Sequence, residues 1–269
     1  MSGSAPPRQI RSFVAIGDSF TEGLDDPAAD GGYLGWADRL AAHLDAHLDA
    51  AIAAAGSADR LRYANLAIRG KLLRQVLIDQ LPVAAGLRAD LVSFCAGGND
   101  LLRPSGDPAR LAALFETGVR RLRDAGSTVL MMTGFDPVAI PVLRRVRPKI
   151  DEYNERLRDI AGRYDCPLVD LWTMDRLYDQ RAWSVDRLHL SAEGHRRIAL
   201  HAAAALGVPT DADPDEPWPP ADPAPDWWRR RRSDVRWARA YLAPWISRRL
   251  RGTSSGDGRT PKRPRLDPL

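Results

Sequence analysis

The 269-residue chain has little of several things that would assign it quickly to a function class. It has two cysteines, Cys95 in LVSFCAGG and Cys166 in YDCPLVD, both in apolar surroundings and without metal-ligand spacing. That excludes a disulfide-stapled scaffold and a cysteine zinc site, and reads as two buried small hydrophobes rather than redox groups. Apolar runs never approach the roughly 18 to 20 residues of a membrane span, and the opening MSGSAPPRQIRSF lacks the apolar stretch of a secretory leader, so a cytoplasmic protein is expected. No Walker or dinucleotide-binding glycine loop is present, and the five histidines leave few candidates for a base or a metal ligand.

What is present is an ordinary globular composition, 44% hydrophobic and 28% charged, enough for one substantial α/β domain with an appendage. The overall charge of +4 hides a division. Residues 227 to 269 carry 13 Lys and Arg against 3 Asp and Glu, whereas residues 1 to 226 carry 26 against 32. The body is therefore acidic and the tail basic, and the basic balance does not mark the body as a nucleic-acid binder. Five of the eight tryptophans (Trp218, Trp227, Trp228, Trp237 and Trp245) also lie late in the chain.

Short apolar runs at Ser12–Ile16, Leu61–Leu66, Asp90–Ala96, Ser127–Met132 and Pro167–Leu171 predict five strands. Segments with apolar residues at three- and four-residue spacing lie between and after them, at Gly35–Ala55, Lys71–Ala85, Pro108–Ala125, Ile150–Tyr164 and Ala192–Leu206, and predict helices. Alternation of this kind implies an α/β fold with an open, doubly wound parallel sheet and a ligand site at the carboxyl ends of its strands. The domain is expected over residues 12–207, after a flexible N-terminus at 1–11. Residues 208–226, rich in Pro and Asp, read as an extended linker. Residues 227–251 read as a basic amphipathic segment, with Val235, Ala238, Tyr241, Leu242, Trp245 and Ile246 as its stripe and Pro244 as its interruption. Residues 252–269 are expected to be disordered.

Three polar turns converge on the expected sheet edge: Gly17-Asp18-Ser19, the stretch ending at Gly70, and Gly97-Gly98-Asn99-Asp100. Ser19, between Gly17 and Gly23 at a strand-to-helix turn, is placed as a nucleophile, but a serine needs a base. His43 and His47, one helical turn apart, read as a solvated helix face rather than a metal pair, and His195 and His201 lie inside the last helix. His189, in Asp186-Arg187-Leu188-His189, falls in a loop able to reach the same edge. Each block alone also has a bland reading, as a helix cap or a turn.

Taken in order, GDSFTEG at Gly17–Gly23, Gly70, GGND at Gly97–Asp100 and DRLH at Asp186–His189 resemble the successive blocks of the SGNH (GDSL-type) hydrolases. The resemblance implies a flavodoxin-like three-layer α/β fold with a five-stranded parallel sheet. It implies Ser19 as nucleophile, His189 as base, Asp186 as the residue orienting His189, and an oxyanion hole from the Ser19 N–H, the Gly70 N–H and the Asn99 side chain. Asp18 and Asp100 are expected to hold turns. No cofactor or metal is implied, and the substrate expected is a small-molecule acyl ester. Thioester hydrolysis and acyl transfer would use the same residues, and a catalytically silent domain acting through its tail is the alternative of another class. Loops 101–107 and 134–149 are the expected specificity elements, the latter carrying Val138, Ile140, Val142 and Leu143 beside three arginines. For the tail, three roles stay open: packing on the acidic body, contact with an anionic membrane or nucleic acid, and binding of a partner.

Overall fold

The computed structural model describes residues 9–29, 31–53, 60–139, 141–220, 226–244, 247, 251 and 253–269. Most of the expected N-terminal stretch, the last two residues of the first long helix, Ile140, residues 221–225 of the linker, and Trp245 and Ile246 lie outside them. The elements run β1 (Ser12–Gly17), α1 (Ser19–Glu22), α2 (Gly35–Ala53), β2 (Arg62–Asn65), α3 (Leu73–Gln75), α4 (Leu81–Leu87), β3 (Leu91–Cys95), α5 (Gly98–Leu101), α6 (Pro108–Asp124), β4 (Thr128–Met132), α7 (Arg147–Arg163), β5 (Leu168–Val169), α8 (Ala192–Ala205), α9 (Trp227–Trp237) and β6 (Arg263–Pro268).

The sheet order is β5-β4-β3-β1-β2-β6, with the first five strands parallel. This is the flavodoxin-like order, whose switch point lies between β1 and β3. Strand β1 shows why the sheet is covered on both sides. Phe13 and Ala15 face one core with Trp36 and Leu40 of α2 and Ile198 and Ala202 of α8. Val14 and Ile16 face the other, with Leu81 of α4, Phe115 and Val119 of α6, and Tyr153 and Leu157 of α7. All four β1 side chains are fully buried. Alternation of side chains along one strand thus feeds two apolar layers, giving three layers in all.

Two helices depart from regularity at proline. The segment expected as one helix from Lys71 to Ala85 is a short α turn, a π turn over Val76–Gln80 and then α4. Pro82 lacks an N–H and crowds the preceding turn, and the widened turn restores the hydrogen bonding, with the Leu81 N–H donating to the Val76 carbonyl. A π turn at Ala238–Leu242 precedes Pro244 in the same way.

The sequence reading is corrected at the C-terminus. Disorder was expected from residue 252, but Arg263–Pro268 forms β6, a sixth strand antiparallel to β2. The Leu269 N–H donates to the Leu61 carbonyl, and Arg62 donates twice to the carbonyl of Leu266, whose side chain is buried in the core. Lys262 is fixed by Asp38 at 2.5 Å and by the carbonyls of Tyr33 and Leu34. A strand with only six residues and one buried apolar side chain carries no period-two signal strong enough to read. The linker, too, is fastened where it is described. The guanidinium groups of Arg181 and Arg197 lie over the Trp218 ring, at 5.0 and 4.3 Å, and the indole N–H donates to the Arg176 carbonyl. Among the described residues, no helix is long and apolar enough to cross a membrane.

Candidate active site

The site grows from the carboxyl ends of β1 and β3, on either side of the switch point. Backbone packs tightly there: a Cβ on Gly17 would stand 2.3 Å from the Cys95 carbonyl oxygen, so only glycine lets β1 end against β3. The Gly17 N–H and carbonyl are both held by the side-chain amide of buried Gln80, at 2.8 and 2.9 Å. The π turn ahead of Pro82 carries Gln80, a residue that the sequence pattern gave no reason to choose. Asp18 then caps α1, its carboxylate accepting from the Phe20 N–H, and Ser19 opens the turn. Gly23 closes α1 with φ +90° and lies so close to Gly35 that a Cβ would reach within 2.5 Å of its Cα.

His189 reaches this point from the loop before α8. Its Nε2 lies 3.0 Å from Ser19 Oγ and its Nδ1 lies 2.5 Å from Asp186 Oδ2. The other Asp186 oxygen accepts the backbone N–H groups of Leu188 and His189, both at 2.9 Å. Burial pushes the Asp186 carboxyl up, but its bonds to the His189 ring and to those two amides outweigh burial and leave it below the ordinary value. An ionised carboxylate is therefore held against Nδ1, which fixes the proton there and turns the Nε2 lone pair toward the Ser19 hydroxyl. The tight loop needs Arg187 at φ +56°, a left-handed conformation that a side chain disfavours.

Gly70 has φ +73° and follows a segment tied to the Ser19 turn. Glu22 of α1 accepts the Arg69 N–H at 2.6 Å and pairs with the Arg69 guanidinium, both side chains being nearly buried. Asn99, in α5, donates at 3.0 Å to Asp18 Oδ2 and at 3.1 Å to the Lys71 carbonyl. Both of its amide hydrogens are thus engaged, one of them by the residue preceding Ser19. Burial raises the Asp18 carboxyl to about 6. Asp100 accepts the Leu73 N–H, tying the α5 turn to α3.

The structure brings Ser19, Asp186 and His189 into one hydrogen-bonded chain and sets Asn99 beside them through Asp18. Asp25 was not foreseen. It has φ +69°, and its carboxylate accepts from the Ser184 hydroxyl, at the root of the His189 loop, at 2.5 Å. Ligand atoms of Asp25, Asp186 and His189 lie within 4.8 Å of one another. Asp186 is hydrogen-bonded to His189, and Asp25 to Ser184. His195 is buried between the Trp36 N–H and the Leu24 carbonyl, and burial lowers it to about 4, a neutral structural imidazole. Burial pushes up both thiols, Cys95 and Cys166, which keeps them protonated.

Of the expected specificity loops, residues 134–149 form 3-10 turns at Pro137–Ala139 and Pro141–Val146 and then enter α7. The Lys149 ammonium joins them to the other loop by donating to the carbonyls of Arg103, Pro104 and Gly106. A cavity of about 230 Å³ is lined by Leu168, Asp170, Met174, His201 and Asp215 and by none of Ser19, Asp186 and His189.

Comparison with known proteins places the chain in a family. The chain matches the GDSL-like lipase/acylhydrolase family over residues 15–197. No curated protein sequence matches it. Among solved structures it is similar to Axe2, an acetylxylan esterase from Geobacillus stearothermophilus, at 19% identity and a TM-score of 0.58, over 73% of this chain and 94% of that one. It is also similar to LAE5, an α/β hydrolase enzyme from the metagenome of Lake Arreo, at 26% identity and a TM-score of 0.57, over 73% and 95% of the two chains. A third is TesA, at 22% identity and a TM-score of 0.54, over 72% and 97%. With a family match across most of the sheet domain and that domain's fold shared with these structures, the chain belongs to the GDSL-like lipase/acylhydrolase family and is a hydrolase of the SGNH type.

Proposed function

We propose that the protein is a serine hydrolase that cleaves an acyl ester through a covalent acyl-serine. The observation that carries this reading is the unbroken chain from Ser19 Oγ through the His189 ring to the Asp186 carboxylate, with contacts of 3.0 and 2.5 Å. Ser19 Oγ attacks the carbonyl carbon as its proton passes to His189 Nε2, and Asp186 stabilises the imidazolium that forms. The tetrahedral oxyanion receives hydrogen bonds from the Ser19 and Gly70 N–H groups and from the Asn99 amide. On collapse the C–O bond to the alcohol breaks and His189 returns the proton to the leaving oxygen. Water, activated by the same imidazole, then releases the acid and restores Ser19.

Asn99 supplies its donor at a cost, because one of its N–H groups must leave Asp18 or Lys71 to meet the oxyanion. Asn99→Ala is accordingly expected to lower kcat by roughly 100- to 1,000-fold, the range for loss of one oxyanion donor. Short and long acyl esters and thioesters, offered to wild type and Ser19→Ala alongside a fluorophosphonate label, test the whole scheme. Ser19-dependent turnover and labelling are expected, and their absence would overturn it. The thioester arm, and transfer of the acyl group to an added alcohol, separate hydrolysis of esters from the two related reactions.

A further inference from the structure

The C-terminal extension touches the active site from outside at two places. At the first, the Trp237 indole N–H in α9 donates at 2.8 Å to the carbonyl of Asp186 itself. Arg187, the next residue and the one in the left-handed conformation, pairs with Asp234 at 2.7 Å and lies over the Trp237 ring at 5.2 Å. At the second, the turn 254–257 sits on the Arg69–Gly70 peptide. A Cβ on Gly70 would stand 2.1 Å from Ser254 Oγ, and a Cβ on buried Gly256 would stand 2.0 Å from the Arg69 carbonyl oxygen. The chain then continues to Lys262 and β6, which anchor it to α2 and β2.

We propose that the extension is a brace for the catalytic machinery, with Trp237 a positioning residue for the Asp186–His189 loop and the Gly256 turn a support for the Gly70 loop. The proposal rests on the hydrolase reading above. The physical argument concerns Arg187. A left-handed residue inside a four-residue catalytic loop persists only where its surroundings fix it. Within the loop, Asp186 accepts the Leu188 and His189 amides through its side chain. The Asp186 carbonyl and the Arg187 side chain are fixed instead by α9. The N–H of the Asp186–Arg187 peptide donates to the Ser184 carbonyl at 2.9 Å, so releasing the carbonyl and the Arg187 side chain leaves that peptide held at one end only, able to tilt about this bond and to loosen the carboxylate against Nδ1. Glycine at 256 has the matching role on the other side, since any side chain there would lift the turn off Arg69.

Full-length wild type, Trp237→Phe, Trp237→Ala and Gly256→Ala would be compared for kcat and KM on p-nitrophenyl acetate, rate of fluorophosphonate labelling of Ser19, and melting temperature. Trp237→Phe keeps an aromatic ring beside Arg187 and removes one donor. It is expected to lower kcat and the labelling rate together by roughly three- to tenfold, the value of one hydrogen bond expressed as a rate, with KM within about twofold and melting close to wild type. Trp237→Ala should fall further on both readouts, and Gly256→Ala should lower kcat while leaving the labelling rate less affected than Trp237→Ala does. Unchanged kcat and labelling in Trp237→Phe, with normal wild-type turnover, would overturn the brace alone. Losses that follow only melting, and vanish when assayed well below it, would also overturn it. A wild type without Ser19-dependent turnover would overturn the hydrolase reading and this proposal with it.

Discussion

The sheet domain and the C-terminal extension are ordered by different physics. In the domain, position follows from burial: β1 has no exposed side chain, and helices on both faces repeat an apolar residue every three or four places. Among its described residues the extension has no core of its own. Trp227 and Trp228 stack on each other in solvent, Val235 is exposed, and contacts with the body come from single groups such as the Trp237 N–H, Asp234, Lys262 and Leu266. A region held by burial announces itself in its sequence period, while a region held by one short edge strand and scattered single contacts does not.

The largest expected effect sharpens the domain side. Asp186→Asn keeps the shape of the loop but removes the charge that fixes the His189 tautomer, and kcat should fall by roughly 10,000-fold while melting stays near wild type. Preserved activity would mean that another carboxylate, such as Asp25, does the orienting. Next comes the ion pair that links α1 to the Gly70 loop. Glu22→Ala leaves the Arg69 guanidinium buried with no counter-charge and should cost about 3–5 kcal/mol in denaturant unfolding. A loss below about 1 kcal/mol would show that Arg69 escapes to water.

Leu266→Ala tests the comparison itself. If β6 unfolds together with the domain, deleting a side chain buried in its core should cost about 2–4 kcal/mol in the main transition. If the extension is a separable attachment, the main transition will move by less than about 0.5 kcal/mol, and the division drawn from charge alone will have been the better one.

How far the sequence could be read follows the same line. Five strands, the helices and the parallel order were legible because their side chains alternate or repeat. Ser19, Asn99, Asp186 and His189 could be picked out as candidates because their blocks fall on turns at one sheet edge, and the fold sets them near one another. Gln80, Glu22 with Arg69, and Asp25 were not. They act by bonding to backbone or to each other across 47 to 159 residues of chain, and no local pattern marks such a partner. The π turn that carries Gln80 had a visible cause in Pro82, although the expected outcome was a regular helix. Strand β6 was hidden for a further reason. Its residues, RPRLDP, contain two prolines and two arginines, a composition tolerable only on an edge strand.

The smallest effects come from removing one carboxylate on each side of the divide. Asp18 titrates near 3.8 in an open chain and near 6 in the fold, chiefly because burial penalises its charge. Its contribution to stability is therefore complete below about pH 3.8, declines as pH rises through about 6, and is gone above that. Asp18→Asn removes the buried charge but has a single oxygen, so it keeps the cap on the Phe20 N–H and gives up the bond from Asn99; it should raise unfolding free energy by about 1–2 kcal/mol at pH 7.5, with the gain shrinking as pH falls from 6 to 4. Destabilisation at pH 7.5 would show instead that the charged bonds to Phe20 and Asn99 outweigh burial. Asp234 in the extension is about half exposed and pairs with Arg187 in solvent. Asp234→Asn should change stability by less than about 1 kcal/mol and lose even that in high salt. A larger and salt-resistant loss there would mean that water is excluded from the seam between α9 and the His189 loop, and that the extension is buried against the body more like a strand of the sheet than an attachment.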